Sequence, residues 1–143
     1  MRRIITDENA KGRSYVLKAE TVAPLGLIWQ TEPGNPLGRE PEGDGYDLDF
    51  KPGTDVRSMT VPPEAVMLEL LKTMRPPGLD EKGFHKTPTF DVVVLLEGRL
   101  ILALDEEEIE MAPGDVVVQR STNHTWRNPG DSDARCLVVV HRA

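Results

Sequence analysis

The sequence is poor in cysteine and histidine, and it has no long hydrophobic run. One of its 143 residues is a cysteine, Cys136, so no disulfide can form within the chain, which fits a reducing compartment. No apolar stretch approaches the roughly 18–20 residues that a membrane-spanning helix requires. The charged start of the chain also lacks the apolar core of a signal peptide. We therefore expect a cytoplasmic protein.

Positive charge is scarce as well. Lys and Arg number 17 against 24 Asp and Glu, which gives a formal net charge of −7. An anionic membrane surface or a nucleic-acid backbone would repel such a protein overall. We expect neither a nucleic-acid partner nor a membrane partner.

Proline and glycine are plentiful, with 12 residues of each. Nine of the prolines precede Gly78, a distribution that excludes a coiled coil or a bundle of long helices and favours short elements joined by turns. Residues 32–53 contain four prolines and five glycines with few large apolar residues. We expect this segment to be irregular and to lie on the surface or over the mouth of a cavity.

Residues 90–143 consist of short apolar runs separated by turn sequences. Runs at this spacing predict a β-sandwich or a β-barrel. One helix is predicted over residues 64–74, because Met67, Leu70, Leu71 and Met74 follow i, i+3, i+4, i+7 spacing. A strand is the competing interpretation for this segment, since Val66 and the leucines after it also alternate.

Two of the three histidines, His85 and His124, begin series of residues spaced two apart along predicted strands. Side chains of equal parity share one face of a strand. One such set is His85, Thr87, Thr89 and Asp91, and a second is His124, Trp126 and Asn128. If both faces point inward, two imidazoles and one carboxylate meet, which is the donor set of a two-histidine, one-carboxylate metal site. Iron, manganese, nickel and zinc all suit these donors, so the metal is not identified.

These residues resemble the cupin superfamily. In its first motif, His-x-His is followed by a Glu and, after six further residues, by a Gly; here His85-x-Thr87 is followed by Asp91 and, at the same interval, Gly98. In the second, a Gly opens a strand, and a His is followed by an Asn four residues on. Gly114, His124 and Asn128 occupy these positions. The resemblance covers residues 84–140 and places Thr87 where the family has its second metal-binding histidine.

The resemblance implies an all-β fold, a cupin-type double-stranded β-helix (a jelly-roll-like barrel), with an N-terminal strand extension and one short helical insertion. We assign residues 56–143 to the barrel and residues 1–55 to the extension and the Pro/Gly-rich surface segment, all within one structural domain. The resemblance also implies a homodimer. The predicted contact is an apolar edge strand, either residues 137–140 or the N-terminal hairpin.

Three functions stay open at this point. The first is an enzyme acting on an organic metabolite with a divalent metal held by His85, Asp91 and His124. The second is a metal-free lyase or isomerase in which His85 or His124 is the acid or base and Asp91 orients it. The third is a cupin that binds a small ligand without turnover. The substrate-binding candidates are Thr87, Thr89, Trp126 and Arg120.

Overall fold

The computed structural model describes residues 1–43 and 47–143. In these residues the chain forms eleven β-strands and one α-helix. In chain order the elements are β1 (Arg2–Glu8), β2 (Ser14–Thr21), β3 (Gly26–Glu32), β4 (Asn35–Arg39), β5 (Gly53–Val61), α1 (Glu64–Met74), β6 (Phe90–Glu97), β7 (Leu100–Ala103), β8 (Glu108–Met111), β9 (Val116–Arg120), β10 (Thr125–Arg127) and β11 (Ala134–Arg142).

The largest layer is a six-stranded sheet with the strand order β4-β3-β5-β11-β6-β9. Its strands pair in antiparallel fashion. In this order β11 lies between β5 on one side and β6 on the other. The prediction that residues 137–140 form an edge contact is therefore wrong. The reason is that both hydrogen-bonding edges of β11 are already occupied by strands that are distant in sequence.

A second layer, with the order β10-β7-β8, completes the core. Leu100 and Met111 of this smaller sheet are buried in the same hydrophobic cluster as Leu95, Cys136 and Val138 of the larger one. Alternation along the strands produces this core, since inward residues are apolar on both sheets. The prediction of an all-β barrel with one helix is confirmed.

The turn between β6 and β7 depends on a glycine. Gly98 has a φ of +91°, and a Cβ atom at this position would lie 2.9 Å from the Cα atom of Ala134. Both the left-handed backbone and the close approach of the neighbouring chain require a residue without a side chain. The glycine at the end of the first motif is thus explained by packing.

The predicted helix is present, but only half of its predicted apolar face is buried. Leu71 is buried, and Met67 packs against the core. Leu70 and Met74 are 40% and 72% exposed. With 11 residues, α1 is short, and no helix in the described part of the chain is long and apolar enough to cross a membrane.

The N-terminal part forms more regular structure than its composition suggests. Strands β1 and β2 pair as a separate two-stranded sheet, as the sequence predicts. Within the segment expected to be irregular, Asn35–Arg39 forms β4 and pairs with β3, which corrects that expectation. Residues 44–46 of the same segment lie outside the described residues. The division of the chain at residues 55 and 56 stays a prediction.

Candidate active site

The two histidines of the motifs are brought together by the backbone. His85 and His124 form an isolated antiparallel bridge, in which each backbone N–H donates to the other residue's carbonyl oxygen over 3.0 Å. Directly paired residues place their side chains on the same face, next to one another. The centroids of the two imidazole rings are accordingly only 4.4 Å apart.

Backbone carbonyl groups determine the tautomer of both rings. His85 Nδ1 lies 2.9 Å from the carbonyl oxygen of Gly83, and His124 Nδ1 lies 2.9 Å from that of Thr122. A carbonyl oxygen only accepts hydrogen bonds, so each Nδ1 carries the proton and each neutral ring keeps its lone pair on Nε2. These two carbonyl groups, and not Asp91, hold the Nδ1 atoms of the rings.

His124 is suited to stay neutral. It is 4% exposed, and burial lowers the pKa of its imidazole below the ordinary value. The hydrogen bond to the Thr122 carbonyl raises this pKa, and the charge of His85 lowers it, both by less than burial. The result is a buried imidazole with a free Nε2 lone pair at neutral pH.

Asp91 belongs to a short chain of buried polar side chains. Residues 86–89 are not a strand, yet Thr87, Thr89 and Asp91 are all buried while the residues between them are exposed. The hydroxyl oxygens of Thr87 and Thr89 lie 2.7 Å apart. Burial raises the pKa of Asp91, and the hydrogen bond from Thr89 acts in the opposite direction. The Oδ1 atom of Asp91 is buried and has no hydrogen-bond partner among the described residues.

The histidines, Thr87 and Asp91 line one cavity of about 220 Å³ between the sheets. Trp126 also lines it, and the ring centroids of His124 and Trp126 are 5.6 Å apart in an edge-on arrangement. The remaining wall is mostly apolar, including Phe50. A small, largely apolar cavity with a few polar side chains at one end is typical of a ligand site.

Strand β5 contributes Arg57 to the cavity wall, a residue that was not among the candidates predicted from the sequence. Its guanidinium carbon lies 4.4 Å from the centroid of the Phe50 ring, and one of its nitrogens donates to the Asp55 carboxylate over 2.8 Å. The alternation along β5 turns both Arg57 and Asp55 toward the same face as Val138 and Val140 of β11. No local pattern marks this arginine, because its neighbours in the site come from strands far along the chain.

Arg120 is not brought to the cavity. It follows Val116 and Val118 along β9, and both valines are more than half exposed on the outer face. The residue of β9 that faces inward is Gln119, which is 3% exposed and directly opposite Asp91 in the strand register. The Gln119 Nε2 atom is buried and has no hydrogen-bond partner among residues 1–43 and 47–143, while Thr122 Oγ1 donates a hydrogen bond to Gln119 Oε1. Substitution of Arg120 is therefore not expected to change the cavity.

Asn128 of the second motif has a structural role, and His141 lies outside the site. Asn128 is 1% exposed and donates hydrogen bonds from Nδ2 to the carbonyl oxygens of Val61 and Ser132, at 2.9 and 2.7 Å. It thereby connects β5 to the turn that precedes β11. His141 lies on an exposed face with Nδ1 3.0 Å from Thr54 Oγ1, away from the other two histidines.

The donor set does not fit a metal ion as it stands. Within residues 1–43 and 47–143, no group of three or more His, Cys, Asp or Glu side chains is close enough together to hold one. His85 and His124 are adjacent, but Asp91 does not complete a three-donor group with them, and Thr87 supplies no imidazole. We therefore derive no step through iron, manganese, nickel or zinc.

Comparison with known proteins agrees with this architecture. The family model for the cupin domain matches residues 72–140. The cupin-domain-containing oxidoreductase fogC of Aspergillus ruber is 31% identical over an alignment that covers 96% of this chain and 70% of that protein. The chain belongs to the cupin superfamily.

Two further fungal relatives match only part of the chain. Oryzines biosynthesis cluster protein J of Aspergillus oryzae is 46% identical over 62 residues, which is 42% of this chain and 35% of that protein. Phomopsin biosynthesis cluster protein D of Diaporthe leptostromiformis is 46% identical over 68 residues, or 47% of this chain and 35% of that protein. The match thus spans about a third of the length of these two relatives.

Solved structures include similar barrels. A cupin 2 conserved barrel domain protein from Salinispora arenicola has a TM-score of 0.47 and 21% identity, covering 63% of this chain and 64% of that one. A sugar phosphate isomerase of the cupin superfamily from Silicibacter pomeroyi has a TM-score of 0.45 and 24% identity, covering 63% and 51%.

Proposed function

We propose that the cavity binds a small organic molecule and that His124 transfers a proton on it, as in an isomerase or a lyase. The observation that carries this proposal is the hydrogen bond from each Nδ1 to a backbone carbonyl oxygen, which leaves both Nε2 lone pairs available in a buried cavity. General acid–base catalysis needs a base that is held in one orientation and is unprotonated before the reaction.

The roles of the residues follow from their surroundings. His124 is the base, because burial lowers the pKa of its imidazole and so keeps Nε2 unprotonated. When Nε2 accepts a proton, the Thr122 carbonyl oxygen stabilises the resulting imidazolium through Nδ1–H. The protonated Nε2 of His124 then returns this proton to a different atom of the substrate or to its leaving group, which makes the imidazole neutral again. The adjacent imidazole of His85, 4.4 Å away between ring centroids, accepts a hydrogen bond from the substrate. Asp91 binds substrate at the same end of the cavity.

A redox function, suggested by the name of the Aspergillus ruber relative, is the alternative that the test must separate. Imidazole and carboxylate side chains do not themselves accept electrons, so this chemistry would enter with a metal or another electron carrier. The two free Nε2 atoms are the groups that would bind a metal in that case.

The test is hydrogen exchange into substrates in D2O, followed by NMR. Protein treated with a chelator is incubated with a panel of small carbonyl compounds, with and without an amino group, that carry acidic C–H bonds. We expect protein-dependent loss of a C–H signal from one class of compound. The substitution His124→Asn should slow this exchange by about 10²–10⁴-fold, the usual contribution of a general base. His141→Asn is the matched control and should leave the rate unchanged.

The same samples separate the alternatives. Exchange or turnover that appears only after Fe²⁺, Mn²⁺, Ni²⁺ or Zn²⁺ is added, with stoichiometric metal by elemental analysis, would contradict the metal-free mechanism. Binding of a compound without exchange under either condition would show a binding protein and overturn the enzymatic proposal.

We also propose that the protein is a homodimer that packs through the outer face of its six-stranded sheet. A row of apolar side chains crosses this face in register, from Trp29 through Val56, Val139 and Val92 to Val118. Val118 is 55% exposed, and apolar rows of this kind are usually covered by a partner. The mass in solution tests this: the native chain should be a dimer and Val118→Glu a monomer, whereas a monomeric native chain would contradict it.

A cytoplasmic location is the final part of the proposal. It is supported by the single cysteine, Cys136, which is buried as a free thiol. Fractionation of the producing cells tests it, and recovery of the protein in the culture medium would contradict it.

A further inference from the structure

Thr87 and Thr89 form a hydroxyl pair at one end of the cavity. Their oxygens lie 2.7 Å apart, so one hydroxyl donates to the other. Thr87 lines the cavity, and in either direction of this bond its oxygen keeps a lone pair for a ligand.

The two imidazoles and Asp91 also offer acceptor atoms. His85 and His124 expose Nε2 lone pairs, because both Nδ1–H groups are bound to backbone carbonyl oxygens. Asp91 adds a carboxyl group whose Oδ1 atom has no hydrogen-bond partner in the described residues. A ligand that pairs with these acceptor atoms must therefore bring hydrogen-bond donors.

The charges of the side chains that line the cavity also favour a ligand of this kind. Two carboxylates, Asp47 and Asp91, and one guanidinium, Arg57, line the cavity. Arg57 is paired with the Asp55 carboxylate and also donates to the backbone carbonyl of Asp47. The two carboxyl groups outnumber the one guanidinium, and the whole chain carries a formal net charge of −7. Both the local and the overall field favour a cationic ligand.

We propose that this site takes a primary ammonium group carried on a small apolar body. An ammonium group has three N–H donors and no acceptor, which complements the cluster formed by Thr87, Asp91 and the two imidazoles. Phe50 and Trp126 supply aromatic wall for the body of the ligand. The volume of about 220 Å³ is below the roughly 300–1,000 Å³ of sites for drug-sized ligands, so the body is small.

The proposal rests on the proposed function only in taking this cavity as the ligand site. It is tested by calorimetric titration of the whole chain with three compounds that share one body: phenethylamine, 2-phenylethanol and phenethyltrimethylammonium. We expect the amine to bind at least about tenfold more tightly than the alcohol, because hydrogen bonds to ionised partners are the stronger ones. The trimethylammonium compound keeps the charge but has no N–H donor, so it should bind more weakly than the amine.

Variants identify the groups responsible. Asp91→Asn keeps the size of the side chain but removes its charge, and it should reduce the preference for amine over alcohol to about threefold or less. Asp131→Asn changes the net charge equally at an exposed turn and should leave the preference intact. Thr87→Val removes one acceptor at constant volume and is the second variant should Asp91→Asn fail to fold.

An alcohol that binds as tightly as the amine, or an amine preference that survives in both Asp91→Asn and Thr87→Val, would overturn the proposal. These outcomes are separate from a failure of the proposed function. Amine binding without hydrogen exchange would overturn the catalytic role of His124 and leave the proposed ligand class standing. Hydrogen exchange confined to compounds without an amino group would overturn the ligand class and leave the catalytic role of His124 standing.

Discussion

Replacement of Asn128 by alanine should destabilise the protein strongly without touching the candidate site. The amide of Asn128 donates to the carbonyl oxygens of Val61 and Ser132 and accepts from the backbone N–H of Gly130 at 2.8 Å. The residue is 1% exposed, so water cannot replace these three hydrogen bonds in the folded protein. The asparagine of the second cupin motif thus stabilises the backbone around it, and its replacement should lower the stability of the protein.

The size of the effect follows from these contacts. Each hydrogen bond contributes about 0.5–1.5 kcal/mol net, and a buried partner left without one costs about 1–3 kcal/mol. Three such bonds predict a decrease of about 3 kcal/mol in the free energy of unfolding, which is a large share of the 5–15 kcal/mol typical of a domain.

Urea denaturation followed by tryptophan fluorescence measures this decrease. Asn123→Ala is the matched control, because the Asn123 amide makes one exposed hydrogen bond, to Asp105, and its loss should cost less than about 0.5 kcal/mol. A decrease of less than about 1 kcal/mol for Asn128→Ala would refute the assignment of a structural role.

Three further predictions concern pH, reactivity and backbone strain. Burial lowers the pKa of His124 in the folded state. The neutral imidazole therefore contributes stability that is complete above the ordinary pKa of 6.5 and is lost as the pH falls toward the pKa of the folded protein. Urea titrations at pH 7.5 and 5.5 should show this loss of stability in the native protein and a smaller loss in His124→Asn. Burial raises the pKa of the Cys136 thiol to about 11, so iodoacetamide at pH 8 should label it only in urea, and rapid labelling of the folded protein would contradict its place in the core. Gly98→Ala should lower the free energy of unfolding by about 2 kcal/mol or more, because the new Cβ would meet the backbone of Ala134. Gly114→Ala, at a position with φ +95° and open space around it, should lower it less. Equal decreases in the two variants would show that packing around Gly98 plays no part.

Local patterns were enough to predict the elements of the barrel. The helix over residues 64–74 follows from the spacing of its apolar residues, and the structure has it at Glu64–Met74. The C-terminal strands follow from alternation and turn residues. Apolar periodicity and turn residues each act over a few residues, and both can therefore be recognised in a single sequence. The segment at 32–53 was misjudged because β4 is stabilised by pairing with β3, which composition does not report.

The candidate site was predictable in part. His85, Thr87, Asp91 and His124 line one cavity, as their spacing predicts. Trp126 joins them there, and Thr89 is buried against Thr87. The metal-binding arrangement of the histidines with Asp91 is absent from the described residues, since spacing along strands specifies a face but not the distance between side chains on different strands.

The sequence alone determined that this is an acidic chain of short β-strands in which His85 and Asp91 share one strand parity and His124 lies in a second set, because periodicity and turn chemistry are local properties. Only the tertiary structure decided which atoms those residues offer. The carbonyl groups of Gly83 and Thr122 select the histidine tautomers, and Gln119 faces Asp91 in place of Arg120. Each of these carbonyl groups lies two residues before its histidine, but no residue pattern specifies the backbone path that directs it at the ring. The register of β9 on β6 and the pairing of β11 with β5, which brings Arg57 to the cavity, join segments far apart in sequence.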